Sequence, residues 1–361
     1  MSIFGPGYGE AIALHVECGK WILVDSCLEP TSGQPAQVQY LEQLGLDVST
    51  AVKLVVATHW HDDHVQGIGT LVARCRSADV VMSAALKSEH FSALLRLYGE
   101  GAFPGSSGVT EFVNVLRLLD ERRQAGTKIN MAKLAVPDKL LYRDSILDHD
   151  QSYDVEIHSL SPSDASIVSA QLDFSQRIPL SGERKKRIVP PHTNATSVVL
   201  WVEIGERRLL LGSDLEKTAD PKTGWTVILN DSQVTREKAF VYKVAHHGSE
   251  SSHDPGVWER LLHEQPYALL SPYMIGGNIL PKDGDIDRLA RLTPNAYMTA
   301  TPGGRRFRMS NRVVRDTVES VAKEIRGIRA GWGQVRLRCG IQNDALCHVE
   351  LFGDAHNIAA S

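Results

Sequence analysis

The chain is poor in cysteine. Its 361 residues include five, Cys18, Cys27, Cys75, Cys339 and Cys347, an odd number with no CxxC or other metal-binding spacing. That excludes a disulfide framework and a thiolate zinc site, and it fits a reducing compartment. Long apolar runs are missing too: no stretch approaches the ~18 residues of a membrane span. The opening "MSIFGPGYGEAIALHVECGK" has neither a basic region nor an apolar signal core. The expectation is a soluble, cytoplasmic protein with no membrane partner. A net charge of −4 provides no global basic field, which disfavours bulk electrostatic capture of nucleic acid but leaves room for a local groove. Cations do cluster at Arg184, Lys185, Lys186 and Arg187, and again at Arg305, Arg306, Arg308, Arg312 and Arg315. Each cluster reads either as a solvated face or as part of a substrate track. There is no internal repeat and no low-complexity tract, and 42% hydrophobic content is ordinary for a globular protein.

What the sequence does have is concentration. Residues 58–64 read "THWHDDH" and follow the apolar run "VKLVVA", so three of the 14 histidines and two aspartates fall at the end of a buried strand. Scattered surface histidines need no explanation, but these are not scattered. In extended backbone His59 and His61 point the same way, while Asp63 and His64 sit where the chain turns into a helix suggested by Val65, Ile68, Leu71, Val72 and Cys75. Imidazole and carboxylate together form the ligand set of Zn²⁺, and Mn²⁺ and Fe²⁺ accept it as well.

Around this cluster the pattern alternates. "AIALHV" and "WILVDS" read as a hairpin with its turn at Glu17 to Lys20. A helix starting at Pro35 follows, with Val38, Leu41 and Leu44 on one face and Gly45 as its stop. "KLVVA" and "DVVMS" read as buried strands. Residues 84–130 change character: two helical stretches flank the break "GAFPGSSG", which reads as a helical insertion. Their apolar faces are Phe91, Leu94, Leu95 and Leu97 in one, and Phe112, Val115, Leu116 and Leu119 in the other. They suit an extra layer on the core, a lid over the site, or a docking face for a protein partner. As a lid, the segment would hinge between Gly101 and Gly108, and replacing Gly105 and Gly108 with alanine would slow turnover while leaving metal content unchanged. Strands resume with "KLLYR" and "YDVEIHSL", and residues 161–193 read as a long loop. Strands and helices then alternate, with helices near 255–263 and 284–292. The tail carries a helix near 311–326 and two strands, "QVRLRCGI" and "CHVELFG". Runs of this kind suggest layered α/β or α+β packing.

Two more strands end in metal-capable side chains: "LLLGSD" at Asp214, and "YKVAHHGS" at His246 and His247. Open α/β sheets present their ligands at such strand ends. Taken with the first cluster, a shared site is the better reading of each.

With these residues in view, the chain resembles the metallo-β-lactamase fold superfamily, whose HxHxDH signature stands here as His59, His61, Asp63 and His64. "WILVDS" with Asp25 is similar to its first motif, and "LLLGSD" to the strand that ends in the bridging aspartate. "KVAHHGS" is similar to the HHGS motif of the ComEC-type branch. "GPGYGEA", "NATSVVL" with Asn194 and Ser197, and "NAYMTATPGG" resemble that branch as well. The resemblance covers roughly residues 1–83 and 153–304 and implies an αββα sandwich; it does not account for the insertion or the tail, which are read as a helical insertion, 84–130, within a domain of residues 1–304 and a C-terminal helix and strand extension, 305–361, packed on it. It also implies two divalent ions, Zn²⁺ or Mn²⁺. One would be held by His59 and His61, the other by Asp63, His64 and His246, with Asp214 between them. Where the superfamily places a further histidine before the bridging-aspartate strand, this chain has "PPHTNATS", so His192 or Asn194 approaches that place. Where the branch often has His-Pro, this chain has Leu280-Pro281.

Catalytic roles implied for this chain fall to Asp63 and Asp214, with His247, Asn194 and Ser249 as donors to a phosphoryl group or leaving group, or as supports for the ligands. Asp25 would orient a ligand histidine. Trp60 and Asp62 would pack and cap the helix that follows. The implied activity is metal-dependent hydrolysis of a phosphodiester in DNA or RNA by a metal-activated water. One alternative is a small phosphodiester, such as a cyclic nucleotide or a phosphocholine ester. Another is a metal-binding subunit of a multiprotein complex, such as a defence system. β-Lactam or thioester hydrolysis would rest on fold alone.

Overall fold

The computed structural model describes residues 1–6, 9–16, 19–99, 107–126, 132–148, 151–178, 193–275, 278–302, 331–340 and 347–359. Both basic clusters, Cys18, His149, His192, Gly105 and the expected helix near 311–326 lie outside them. In chain order the first strands and helices are β1 (Ser2–Pro6), β2 (Ala11–His15), β3 (Trp21–Val24), α1 (Ala36–Gln43), α2 (Val48–Ala51), β4 (Val52–Ala57), α3 (Asp62–Val65), α4 (Ile68–Arg74) and β5 (Asp79–Ser83). Next come α5 (Glu89–Gly99), α6 (Ser107–Gln124), β6 (Lys133–Ala135), β7 (Lys139–Asp148), β8 (Gln151–Ser159), α7 (Asp164–Arg177), β9 (Leu200–Ile204), β10 (Arg207–Leu211), α8 (Gly224–Asp231) and β11 (Ala239–Lys243). The rest are β12 (Leu262–Leu270), β13 (Tyr273–Ile275), β14 (Asn278–Leu280), α9 (Asp283–Leu292), β15 (Ala296–Met298), β16 (Trp332–Cys339), β17 (Cys347–Gly353) and β18 (His356–Asn357).

Two eight-stranded sheets carry the fold. Their orders are β17-β16-β1-β2-β3-β4-β5-β6 and β18-β15-β12-β11-β10-β9-β8-β7. Side-chain alternation explains why the strands read as continuous apolar runs. Along β4, Leu54 and Val56 point into a core between the sheets, while Val55 and Ala57 point into a second core under helices. Along β9, Leu200, Val202 and Ile204 face the other sheet, and Trp201 faces a third core under α8 and α9. Strands buried on both faces need no polar alternation. The result is the αββα sandwich expected from the sequence.

Each sheet repeats one plan. In the first, β2 and β3 pair antiparallel and β3, β4 and β5 then run parallel. In the second, β9 and β10 pair antiparallel and β10, β11 and β12 run parallel. The parallel strands of both sheets deliver their C-terminal ends to one rim, and the residues discussed below lie there.

Several expectations need correction. Residues 161–193 do not form one loop, because α7 occupies Asp164–Arg177, with the Ser163 hydroxyl accepting from the Ser166 amide as its N-cap. Only Ser166 and Phe174 of that helix are fully buried, so its apolar stripe was too thin to read. The helix expected near 255–263 is a single turn, Val257–Leu261, after which β12 begins. Neither β1 nor α8 was anticipated. The strands of the tail join the two sheets: β16 pairs with β1 in the first sheet, and β18 pairs with β15 in the second. The register of β16 on β17 sets Cys339 opposite Cys347, and the two form a disulfide. Cysteine number and spacing alone concealed that pair, while Cys27 and Cys75 are free and buried. Among the described residues no helix is long and apolar enough to cross a membrane.

The helical insertion packs on the first sheet. Phe91, Leu95, Phe112, Val115 and Leu119 belong to the core beneath it. Trp60, which sits between His59 and His61, joins the same cluster through Phe91 and Phe174 at ring-centroid distances of 5.7 and 6.0 Å. Two end-caps cross between the layers. The Gly108 amide, in the first turn of α6, donates to Asp62 Oδ1 at 2.7 Å, and the amides of Gly67 and Gly69 at the start of α4 donate to the Glu111 carboxylate at 3.1 and 2.9 Å. Asp62 therefore caps the insertion helix rather than its own. A Cβ at Gly108 would lie 2.3 Å from the Trp60 carbonyl oxygen. Gly108 is thus a close-packing position and not part of a hinge. Gly108→Ala is expected to cost about 1–3 kcal/mol of stability through overpacking. It should also lower metal content by displacing the backbone between His59 and His61, contrary to the lid expectation. Thermal unfolding with metal analysis of the purified variant checks both.

Candidate metal centre

The rim is built from sharp turns that follow β3, β4, β10 and β11. Of the six non-glycine residues with positive φ among those described, four are here: Asp25 (57°), Ser213 (45°), His246 (47°) and His247 (52°). Such backbone costs of order 1 kcal/mol per residue and persists where surrounding contacts enforce it. Those contacts are visible. The Asp25 amide donates to Val56 O at 2.8 Å, the His246 amide to Ser213 O at 2.9 Å, and the Gly212 amide to Lys243 O at 3.0 Å.

These turns bring Asp63, His64, Asp214 and His247 into one group, all buried, and His59, His61 and Asp214 into a second. Asp214 belongs to both. His247 Nε2 lies 3.1 Å from Asp63 Oδ2 and 3.6 Å from Asp214 Oδ2, while His64 Nε2 lies 3.2 Å from Asp214 Oδ1. His59 Nε2 is 3.9 Å from Asp214 Oδ2.

Each of three histidine rings is fixed through its other nitrogen. His64 Nδ1–H donates to Asp25 Oδ2 at 2.7 Å, and His247 Nδ1–H donates to the Ser271 carbonyl at 2.9 Å. The Thr58 hydroxyl donates to Asp25 Oδ2, which leaves its oxygen to accept from His59 Nδ1–H at 2.9 Å. Asp25 Oδ1 accepts from the Thr58 amide as well. All three rings therefore aim Nε2 at the carboxylates, the arrangement in which neighbours set tautomer and direction of a ligand histidine.

Whether these residues suit a cation can be tested on their unmet needs. His59 Nε2, His64 Nε2 and Asp214 Oδ1 are buried without a hydrogen-bond partner. Buried polar atoms left unpaired are costly, and three converging ones are what a divalent ion would satisfy. The residues fit a metal.

The electrostatics agree. Burial holds His59 well below the ordinary imidazole pKa, with the rings of His64 and His61 adding to the effect, and burial lowers His61 too. Burial would also depress His64 and His247. At His64 the carboxylates of Asp214, Asp63 and Asp25 outweigh it, and at His247 those of Asp214, Asp63 and Glu10 do, so both are raised. Burial would raise Asp63 and Asp214, yet His64 and His247 hold both below the usual carboxylate range. A metal-free cluster thus draws protons to the nitrogens that would bind a cation.

The two histidines of the HHGS motif are placed the other way round from the expectation, which put His246 with the metal ligands. His247 joins the buried group, whereas His246 lies outside it: its Nδ1 is 3.0 Å from Glu216 Oε1 and 3.1 Å from Ser251 Oγ. The reason is the pair of consecutive left-handed residues, which turns the second ring inward and the first toward the mouth. Asn194 places its Nδ2 3.4 Å from His246 Nε2, beside the group and not within it. Ser249 caps the short turn Glu250–Ser252 by accepting from the Ser251 amide. Sequence reasoning also missed two residues. Glu10 and Lys243 are both 1% exposed and ion-paired directly beneath Asp63 and Asp214. A lysine inside the apolar run "FVYKVA" was the available signal for one of them.

Residues 5–254 match the family model described as the metallo-beta-lactamase superfamily. No curated protein matches. Among solved structures, a metallo-beta-lactamase of Cronobacter sakazakii, a HARLDQ motif mutant, is 14% identical, covering 66% of this chain and 74% of its own, with a TM-score of 0.34. MEM-A1, a subclass B3 metallo-beta-lactamase from a soil metagenome library, is 16% identical, covering 69% and 78%, with a TM-score of 0.35. The CmlA beta-hydroxylase E377D mutant is 17% identical, covering 72% and 37%, with a TM-score of 0.36. Likeness at this level says nothing about the substrate.

Three outcomes follow from the centre. Because His64 and His247 are raised and a bound cation needs them neutral, Zn²⁺ uptake near pH 7 should release protons, and apparent affinity should rise with pH. Titration in weakly buffered solution with a pH indicator reads this directly. Asp214→Ala should lose at least one equivalent of metal, since both groups share that carboxylate. Asp25→Asn should keep the stoichiometry but weaken affinity on the order of 10–100-fold. Competition against a chelator checks the pair.

Proposed function

We propose, from the premise that the chain belongs to the metallo-beta-lactamase superfamily of metal-dependent hydrolases, that it is a phosphodiesterase acting on nucleic acid. The observation that carries this reading is Asp214, the one carboxylate common to both ligand groups. A shared carboxylate would hold two ions if both groups were loaded, and two-metal chemistry suits in-line displacement at phosphorus.

His59, His61 and Asp214 would hold one ion, and Asp63, His64, His247 and Asp214 the other, with Zn²⁺ or Mn²⁺ suited to this nitrogen and oxygen set. When bound, such ions lower the pKa of water towards neutrality and stabilise charge on the phosphoryl group. The chain's own residues do the remaining work. Asp25 and Thr58 keep the His64 and His59 rings in the tautomer that leaves Nε2 free. The two cores beneath the rim keep bulk water from the ligands' far side. His246, half-buried at the mouth and braced by Glu216 and Ser251, stands with Asn194 where donors to phosphoryl oxygens are needed. His246 is thereby assigned to the substrate and His247 to the metal.

The test is a substrate panel with metal-loaded protein. An aryl phosphodiester should be cleaved far faster than an aryl phosphomonoester or a chromogenic cephalosporin, and Asp63→Asn should abolish the activity. Preference for the cephalosporin overturns the reading. Oligonucleotides and cyclic nucleotides, compared as salt rises, separate the two phosphodiester classes. A nucleic-acid substrate should lose affinity steeply with salt, and a small ester should not.

A further inference from the structure

Beneath the ligand groups, Glu10 and Lys243 form an ion pair between the two sheets, with neither side chain more than 1% exposed. Among the described residues Lys243 is the one fully buried lysine. A buried pair is weak evidence for stability, because desolvation offsets most of the Coulombic gain, so its presence here calls for another reason. Its surroundings supply one. Lys243 Nζ donates to Ser213 O at 2.9 Å and lies 3.8 Å from Asp214 Oδ1. Glu10 Oε1 is 3.8 Å from His64 Nδ1, and Oε2 is 3.7 Å from His247 Nδ1. Glu10 Oε2 has no hydrogen-bond partner. The Glu10 amide donates to Asp63 O at 2.9 Å, and a Cβ on Gly9 would lie only 1.8 Å from that same oxygen. One pair thus touches the Asp63–His64 turn, the Ser213–Asp214 turn and the ring of His247.

Charge explains what the pair does there. Glu10, Asp25, Asp63 and Asp214 place four buried carboxylates around the centre, with Lys243 as the fixed cation among them. We propose that Glu10 and Lys243 are positioning residues that set the charge of the metal centre. Lys243 holds the Ser213–Asp214 turn from below, and Glu10 cancels the lysine's charge so that it does not repel the ions bound above. The inference rests on the metal-centre reading and adds to it two residues that need touch neither metal nor substrate.

The test reads metal binding rather than turnover. Co²⁺ alone is titrated into metal-free protein and followed by its visible d–d bands, with wild type, Glu10→Gln, Lys243→Met and the double variant compared after circular dichroism confirms each fold. Glu10→Gln leaves the buried lysine uncancelled and should weaken Co²⁺ binding by at least about tenfold, as a full charge a few ångströms away requires. Adding Lys243→Met should restore most of that loss. If the double variant binds no better than Glu10→Gln, the two losses are merely structural and the proposal falls. Wild type that binds no Co²⁺ sinks the metal-centre reading instead, so the two failures are distinguishable. Should Glu10→Gln not fold, wild type still decides. The Lys243 ammonium should give an exchange-protected ¹H–¹⁵N signal that shifts as Zn²⁺ is added, and an absent or unmoved signal overturns the proposal.

Discussion

Four carboxylates crowded into a dry rim repel one another, and much of this molecule can be read as the arrangement that makes such crowding tolerable. Asp25 accepts from Thr58 and the His64 ring, Glu10 Oε1 pairs with Lys243, and Asp63 lies against the rings of His64 and His247. Asp214 Oδ1 has the His64 ring and the Lys243 ammonium nearby but no hydrogen-bond partner. The strained turns follow from the same demand. Side chains can converge from four strand ends only if the backbone doubles back sharply, and Asp25, Ser213, His246 and His247 pay for that convergence with left-handed conformations.

How far the site could be read from the sequence depended on whether partners are near in the chain. His59, His61, Asp63 and His64 were legible because four ligands within six residues leave few other readings. Asp214 and His247 were legible as strand-end residues, but which histidine of the HHGS pair turns inward was not. That is decided by two consecutive φ angles that no periodicity reports. The pairing of Glu10 with Lys243 was invisible for a different reason. They are 233 positions apart, and only the stacking of two sheets makes them neighbours. The fold followed the same rule: β4 and β5 announce themselves as apolar runs, whereas α7, with two buried residues, looks like a polar loop.

Among the described residues the helical layer bears on the site without contributing a ligand. Asp62 belongs to the ligand turn but spends its carboxylate on the first turn of α6, and Glu111 on α6 spends its own on the start of α4. Each layer thus completes the other's unsatisfied helix end. Trp60 adds an aromatic anchor between two ligand histidines. The insertion fixes the turn on which His59 and His61 stand, a bracing role that its amphipathic pattern could not distinguish from a lid.

The place of β1 has a consequence for how the chain is made. It lies between β2 and β16, with Ser2 opposite Arg336 and Ile3 opposite Val335. Pairing across so great a sequence separation is slow to form. On a ribosome, β1 can meet β2 early, but the outer hydrogen-bonding edge of β1 stays open until β16 has emerged. Exposed edges of that kind are where nascent chains pair with the wrong strand. The β1 edge is therefore uncovered while everything between β1 and β16 is made, and β16 is the strand that closes it.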